Sequence, residues 1–204
     1  MGGGRGEGGL LLVVAIGVSG HRALTEIQRL EAGLAEVVRR LEEAFGEERW
    51  TVVSALAEGA DRLVAHRLLA RKGTRLVAVL PLAREDYETD FRTDASREEF
   101  RGLLALAKEV VEVPPEPNRE RAYEIGGHVV LDRADVLVAV WDGQGAQGRG
   151  GTGTVVAAAR ERGLPLAWVH AGNRKPGTVE PTGLGDEQGE VTLERLPRPR
   201  QGAA

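Results

Sequence analysis

Cysteine is absent from this 204-residue chain, which excludes disulfides, thiolate metal sites and cysteine nucleophiles. Lysine is scarce, with Lys72, Lys108 and Lys175 its only representatives. The dominance of arginine reflects a GC-rich genome more than a multitude of phosphate sites. A basic excess is lacking too: 27 Lys and Arg stand against 31 Asp and Glu, a formal net charge of −4. That balance argues against nucleic acid as a partner, since sequence-independent binding relies on neutralising phosphates. No apolar run approaches the ~20 residues of a membrane-spanning helix, so no membrane partner is expected. Leu10 to Val18 superficially resembles a signal peptide, but Gly20-His21-Arg22 follows it without a small-residue cleavage pattern. A buried strand is the better reading, and cytoplasmic residence the expectation. Several motifs are missing as well. Gly-Lys-Ser/Thr is absent, G-x-S-x-G is absent, and the histidines at 21, 66, 128 and 170 lack metal-ligand spacing. No metal and no cofactor are implied.

The hydrophobic fraction of 42% and charged fraction of 28% are those of an ordinary globular chain, long enough to bury one α/β core. Residues 1–9 read as a flexible glycine-rich lead. Leu10–Val18 is a continuous apolar run, as in a parallel strand covered on both faces. Thr25 opens an amphipathic helix, with Gln28 completing a capping box. Trp50–Leu56 reads as a strand, Ala60–Lys72 as a helix and Arg75–Leu80 as a third strand. Leu82–Thr93 reads as irregular, Ala95–Lys108 as helix, Val110–Val113 as a short strand and Glu120–Arg133 as helix. Asp135–Trp141 is the fourth main strand, followed by a glycine-rich loop, a helix over Thr154–Arg162 and a fifth strand over Leu164–His170. From 172 to 204 the composition turns to Gly, Pro, Glu and Arg, which predicts a disordered tail. One domain over 10–171 is therefore expected.

Five alternations of strand and helix predict a mostly parallel sheet with helices on both faces. Right-handed crossovers place the first three strands in the order 3-2-1. The excursion from Leu82 to Arg133 is long enough to carry the chain back, so the fourth strand lies beside the first. Ligands in such sheets bind at that reversal, outside the carboxyl ends of the strands.

Four loops at that edge carry candidate residues. Gly17-Val18-Ser19-Gly20-His21-Arg22 offers a tight turn, a hydroxyl and a forked cation for phosphate; it lacks the G-x-G-x-x-G fingerprint, and an ordinary strand-to-helix turn is the alternative. Ser54 to Asp61 places Glu58 in a turn and Asp61 at a helix start. The two carboxylates suit ribose hydroxyls or acid–base work, Glu58 being the candidate catalytic group, while helix capping is the simpler role for Asp61. Arg84 follows the third strand as a possible anion contact. Tyr87 and Phe91, spaced i to i+4, form either a base-stacking flap or core packing. Asp142 and Gly143 end the fourth strand and suit a sugar or base. Gly150, Gly151, Thr152, Gly153 and Thr154, with Arg149 alongside, combine backbone N–H groups, hydroxyls and a helix N-terminus into an anion cradle. Trp141 and Trp168 read as packing.

Together the loops resemble the superfamily that joins LOG-type phosphoribohydrolases, DprA/Smf proteins and the SLOG ligand-sensing domains. Val53–Leu80, VSALAEGADRLVAHRLLARKGTRLVAVL, is similar to the DprA segment with its V-S-G-L-A-x-G-I-D, A-H and A-V-L elements. Gly150–Thr154 resembles the G-G-x-G-T loop of LOG enzymes. Gly17–Arg22, Leu56–Asp61, Pro81–Asp86 and Trp141–Gly143 look closest to uncharacterised bacterial SLOG-like domains. The resemblance covers residues 10 to 170 and implies a three-layer α/β/α Rossmann-like single domain. It implies a nucleotide-like small molecule as partner, and a homodimer formed on a sheet edge or helix face that the sequence does not locate. Two departures weigh on activity. LOG enzymes carry P-G-G-x-G-T-x-x-E, whereas Arg149 and Ala157 stand at the proline and glutamate positions here. Binding of a nucleotide-derived ligand is thus the expected function, with N-glycosidic cleavage of a nucleoside monophosphate and DprA-like binding of single-stranded DNA as alternatives.

Overall fold

The computed structural model describes residues 12–46, 48–145 and 151–197. The chain runs β1 (Val13–Gly20), α1 (Ile27–Phe45), β2 (Arg49–Ser54), α2 (Ala60–Leu69), β3 (Arg75–Leu80) and α3 (Arg84–Tyr87). It continues through α4 (Asp94–Leu106), β4 (Glu109–Glu112), α5 (Arg119–Asp132), β5 (Val136–Trp141), α6 (Thr152–Glu161), β6 (Leu166–His170) and β7 (Val191–Glu194). The strands form one sheet in the order β4-β3-β2-β1-β5-β6-β7. All pairings are parallel except β6 with β7. The expected 3-2-1 order and the return beside β1 are both present, and the fold is a Rossmann-like three-layer α/β/α domain.

Parallel strands buried on both faces need apolar residues at successive positions, and all six residues of β5 are buried. Val14, Ile16 and Val18 of β1 enter one core with Leu30, Leu34, Val37 and Leu41 of α1 and Val64 and Leu68 of α2. On the other face Val53, Val77 and Val79 meet Val130 of α5, and Val155, Val156 and Ala159 of α6 cover Leu137 and Ala139.

Three local expectations change. The Thr25–Gln28 capping box does not form: Glu26, with φ 51°, precedes α1 and no side chain caps it. The Thr25 carbonyl instead accepts from Gln188 Nε2 at 3.1 Å, so a long-range contact sets the helix entry. Leu82–Thr93 is not irregular throughout, since it holds α3 and a 3₁₀ turn over Glu88–Asp90. Tyr87, Phe91 and Phe100 are buried there in edge-on and tilted contacts with centroids 4.9–5.7 Å apart. Of the two roles open to Tyr87 and Phe91, core packing is the one formed.

The third change is the expected tail, which is ordered through residue 197. β7 pairs antiparallel with β6. Buried Gln188 accepts from the Gly172 and Leu184 amides at 2.9 and 3.1 Å. Gly33 and Gly189 let α1 and this segment touch, because a Cβ on Gly33 would lie 2.4 Å from the Gly189 carbonyl oxygen. Composition misjudged this segment because a few apolar side chains, Val191, Leu193 and Leu196, pack on the core, and amide and backbone hydrogen bonds hold the rest.

Candidate functional site

At the carboxyl edge, β1 and β5 diverge into loops that enter helices on opposite faces. Their junction is close-packed around glycine. A Cβ on Gly20 would sit 2.3 Å from the Ala60 Cβ and 2.7 Å from the Val140 oxygen. Gly59 has φ 84°, and a Cβ there would lie 2.4 Å from the Arg22 oxygen, so a side chain is excluded on two grounds. The His21 amide donates to the Val140 carbonyl and its own carbonyl accepts from the Ala60 amide, both at 3.0 Å. β1, β5 and α2 are thus tied through one residue.

The His21 ring is buried and spans the reversal. Its Nε2 accepts from the Asp142 amide at 3.1 Å and lies 3.2 Å from Asp142 Oδ1. Burial pushes the His21 pKa below its ordinary value, against the opposing pull of the Asp142 carboxylate. The neutral ring, protonated on Nδ1, fits the amide contact. Asp142 Oδ1 also accepts from the Gln144 amide at 3.0 Å, so the carboxylate shapes its own loop before it meets a ligand.

Arg22 is 46% exposed, stacks on Tyr123 with its guanidinium 5.5 Å from the ring centroid, and lies 3.5 Å from Asp90 Oδ2. Asp90 also accepts from the Tyr123 hydroxyl and from Arg119 Nη2 at 2.5 Å, and Arg119 Nη1 reaches Asp86 at 2.6 Å. Sequence reasoning missed Asp90, Arg119 and Tyr123. For Arg119 and Tyr123 the signal was a charged and aromatic start to α5, which lies at the same edge as α6; Asp90, in the 3₁₀ turn before α4, carried none.

α6 supplies the other wall. Gly151 is its N-cap, without a side-chain cap, and no acidic residue lies in its first turn. The Thr154 and Val155 amides reach the Gly151 carbonyl at 2.9 and 3.2 Å. The Thr152 and Gly153 amides precede the first helical acceptor and point outward with the positive end of the helix dipole. Arg149 and Gly150 lie outside the described residues. Ala157 is exposed on α6.

Ser19, Gly20, His21, Arg22, Asp142, Gly143, Gly151, Thr152, Gly153 and Thr154 therefore gather at one edge. Other candidates sit elsewhere. Gly17 lies within β1, where a Cβ would come 2.9 Å from the Ala134 Cβ; it is a packing glycine. Arg84 turns to Glu88 at 3.1 Å. Glu58 Oε1 accepts from the Arg92 amide at 3.2 Å and from the Ser96 hydroxyl, which holds its loop against α4. Asp61 is buried, with Ser54 Oγ donating to Oδ2 at 3.2 Å. Burial pushes its carboxyl up to about 6, against the Ala57 amide, the Ser54 hydroxyl and the charges of Arg22 and Arg62. Asp61 is an interior group and not a surface contact.

Arg62, also unremarked in the sequence, is buried beside it. Nε donates to the Leu56 carbonyl at 2.9 Å, Nη1 to Ser96 and Glu99, and the guanidinium stacks 4.4 Å from the Phe91 centroid. That cation anchors Leu56, whose φ of 56° marks a sharp turn after β2. A shallow cleft of about 350 Å³ between the start of α1 and α2 shares Arg22 with the edge and is floored by Arg62 and walled by Leu24, Ile27 and Leu63.

The fold and edge define a Rossmann-like α/β domain with glycine-lined loops at its strand-order reversal. No characterised family matches the chain, and no curated protein does. Among solved structures, the X-ray structure of TM1055, a structural-genomics target, is similar over 75% of this chain and 72% of that one, with 18% identity and a TM-score of 0.45. At that score the likeness carries no functional argument. No described helix is long and apolar enough to cross a membrane. Among the described residues no group of three His, Asp or Glu is placed to hold a metal.

Proposed function

We propose that the chain is a cytoplasmic SLOG-like domain that binds a nucleotide or nucleotide-derived phosphorylated ligand in the β1/β5 crevice. The carrying observation is the convergence of exposed Arg22 and the α6 N-terminus, whose N-cap Gly151 carries no side chain, on one strand-order reversal. Thr152 and Gly153 offer amides to phosphate, the Thr152 hydroxyl adds a donor, and Arg22 supplies the counter-charge. Asp90 holds Arg22 until an anion competes for it. The ligand is held rather than cleaved in this reading: Ala157 has no proton to move, and Glu58 is committed to Arg92 and Ser96. Isothermal titration calorimetry with AMP, ribose 5-phosphate and ADP-ribose tests it. Arg22→Ala should weaken binding by about ten-fold, as for one charge-assisted contact, with the melting temperature essentially unchanged. Absence of binding by all three ligands overturns the proposal.

A further inference from the structure

β6 and β7 meet α1 on one face, while on the other α6 packs on Leu166 and sends Arg160 past the Trp168 ring to Glu194 of β7 at 2.6 Å, leaving an aromatic shelf at the carboxyl end of β6. Trp168 and His170, two residues apart on one strand, point to the same side. Their rings stack in parallel, with centroids 3.8 Å apart and planes 10° apart. Both are pinned: Trp168 Nε1 donates to the Trp141 carbonyl at 2.8 Å, and His170 Nε2 bonds Thr192 Oγ1 at 2.8 Å. Trp141 leans on Trp168 at 5.2 Å. Both members of the stack keep part of their surface in solvent.

The stack is ordered along the strand. Trp168 covers the inner face of His170, so the outer face of the imidazole turns toward the carboxyl edge. His170 is in register with Trp141, and the loop to α6 starts at the next residue. Gly143, at φ 78°, lies over the Trp168 ring, where a Cβ would come within 3.2 Å. Gly143 thus sits on this shelf, and Gly151, where the described chain resumes, opens the proposed phosphate cradle.

We propose that the outer face of His170, backed by Trp168, is the stacking platform for the base of the nucleotide. This rests on the reading of the crevice as a phosphate site. A rigid aromatic face offers stacking to any base at little ordering cost, so the platform takes a planar heterocycle without selecting strongly among bases.

Calorimetry with AMP, ribose 5-phosphate and adenosine separates the two parts, with wild type, His170→Ala and His170→Phe compared at matched melting temperatures. Wild type should bind AMP roughly ten-fold or more tighter than ribose 5-phosphate, the usual scale of one stacked base. His170→Ala should remove that advantage and leave ribose 5-phosphate binding as it was, while His170→Phe restores it. Equal wild-type affinities for AMP and ribose 5-phosphate, or equal weakening of both by His170→Ala, overturn the platform and leave the phosphate site standing. Adenosine binding that depends on His170, with none for ribose 5-phosphate, keeps the platform and removes the phosphate site. Binding of none of the three removes both.

Discussion

Asp61 gives the sharpest test of the interior. Its carboxyl is 5% exposed and pushed from 3.8 up to about 6, chiefly by burial. The folded protein therefore holds this proton more tightly than the unfolded chain. The stabilising contribution is complete below about pH 4 and is lost as pH rises through the folded value near 6. A shift of about two units corresponds to roughly 3 kcal/mol at 1.36 kcal/mol per unit. That is a sizeable share of the ~5–15 kcal/mol of a typical domain. Asp61→Asn keeps the shape and an acceptor for the Ala57 amide but does not titrate. Urea unfolding of both proteins between pH 4 and 8 isolates the group, because the other titrating residues largely cancel in the difference. The stability of Asp61→Asn relative to wild type should rise by roughly 2–3 kcal/mol from pH 4 to pH 7, with equal m-values. A difference that stays flat over that range, or rises toward low pH, refutes the assignment of burial as the dominant cause.

Other outcomes follow from the same geometry. Gly20→Ala should cost ~1–3 kcal/mol, because a Cβ would press on Ala60 and the Val140 carbonyl; a change within ~0.5 kcal/mol in chemical denaturation would show that the junction yields. Removal of every residue after Ala171 should lower the melting temperature sharply, since β7 and Gln188 go with it, whereas a disordered tail would leave it untouched. His21 should titrate below its ordinary value of 6.5, read from its ring proton shifts by NMR. Its contribution to stability is present above 6.5 and is lost as pH falls below it through the lower folded value, as burial of the neutral ring requires. A value above 6.5 would mean that the Asp142 carboxylate outweighs burial.

How much of this was legible in the chain depends on how local each cause is. The apolar runs of β1, β3 and β5 show themselves by composition, and handedness then orders the strands with few choices left. Glycine at 20 and 59 announces tight turns, and the glycine-threonine run before α6 announces a helix start that welcomes an anion. The packing of Tyr87 and Phe91 was open, since their spacing suits a flap as well as a core. The tail was misread because Gln188, a pair of facing glycines and only three apolar side chains, Val191, Leu193 and Leu196, hold it, too few to lift its apolar content.

The sequence by itself determined the alternation of strands and helices, the reversal between β1 and β5, and the gathering of two glycine loops there, because these follow from periodicity, crossover hand and backbone freedom. Which polar groups meet is set by the folded chain. His21 finds Asp142 across 121 positions, Arg22 is held by Asp90 and Tyr123, Glu58 is spent on α4, and His170 stacks on Trp168 beside the loop. Those pairings depend on which surfaces the fold brings face to face, and no local pattern in the chain encodes them.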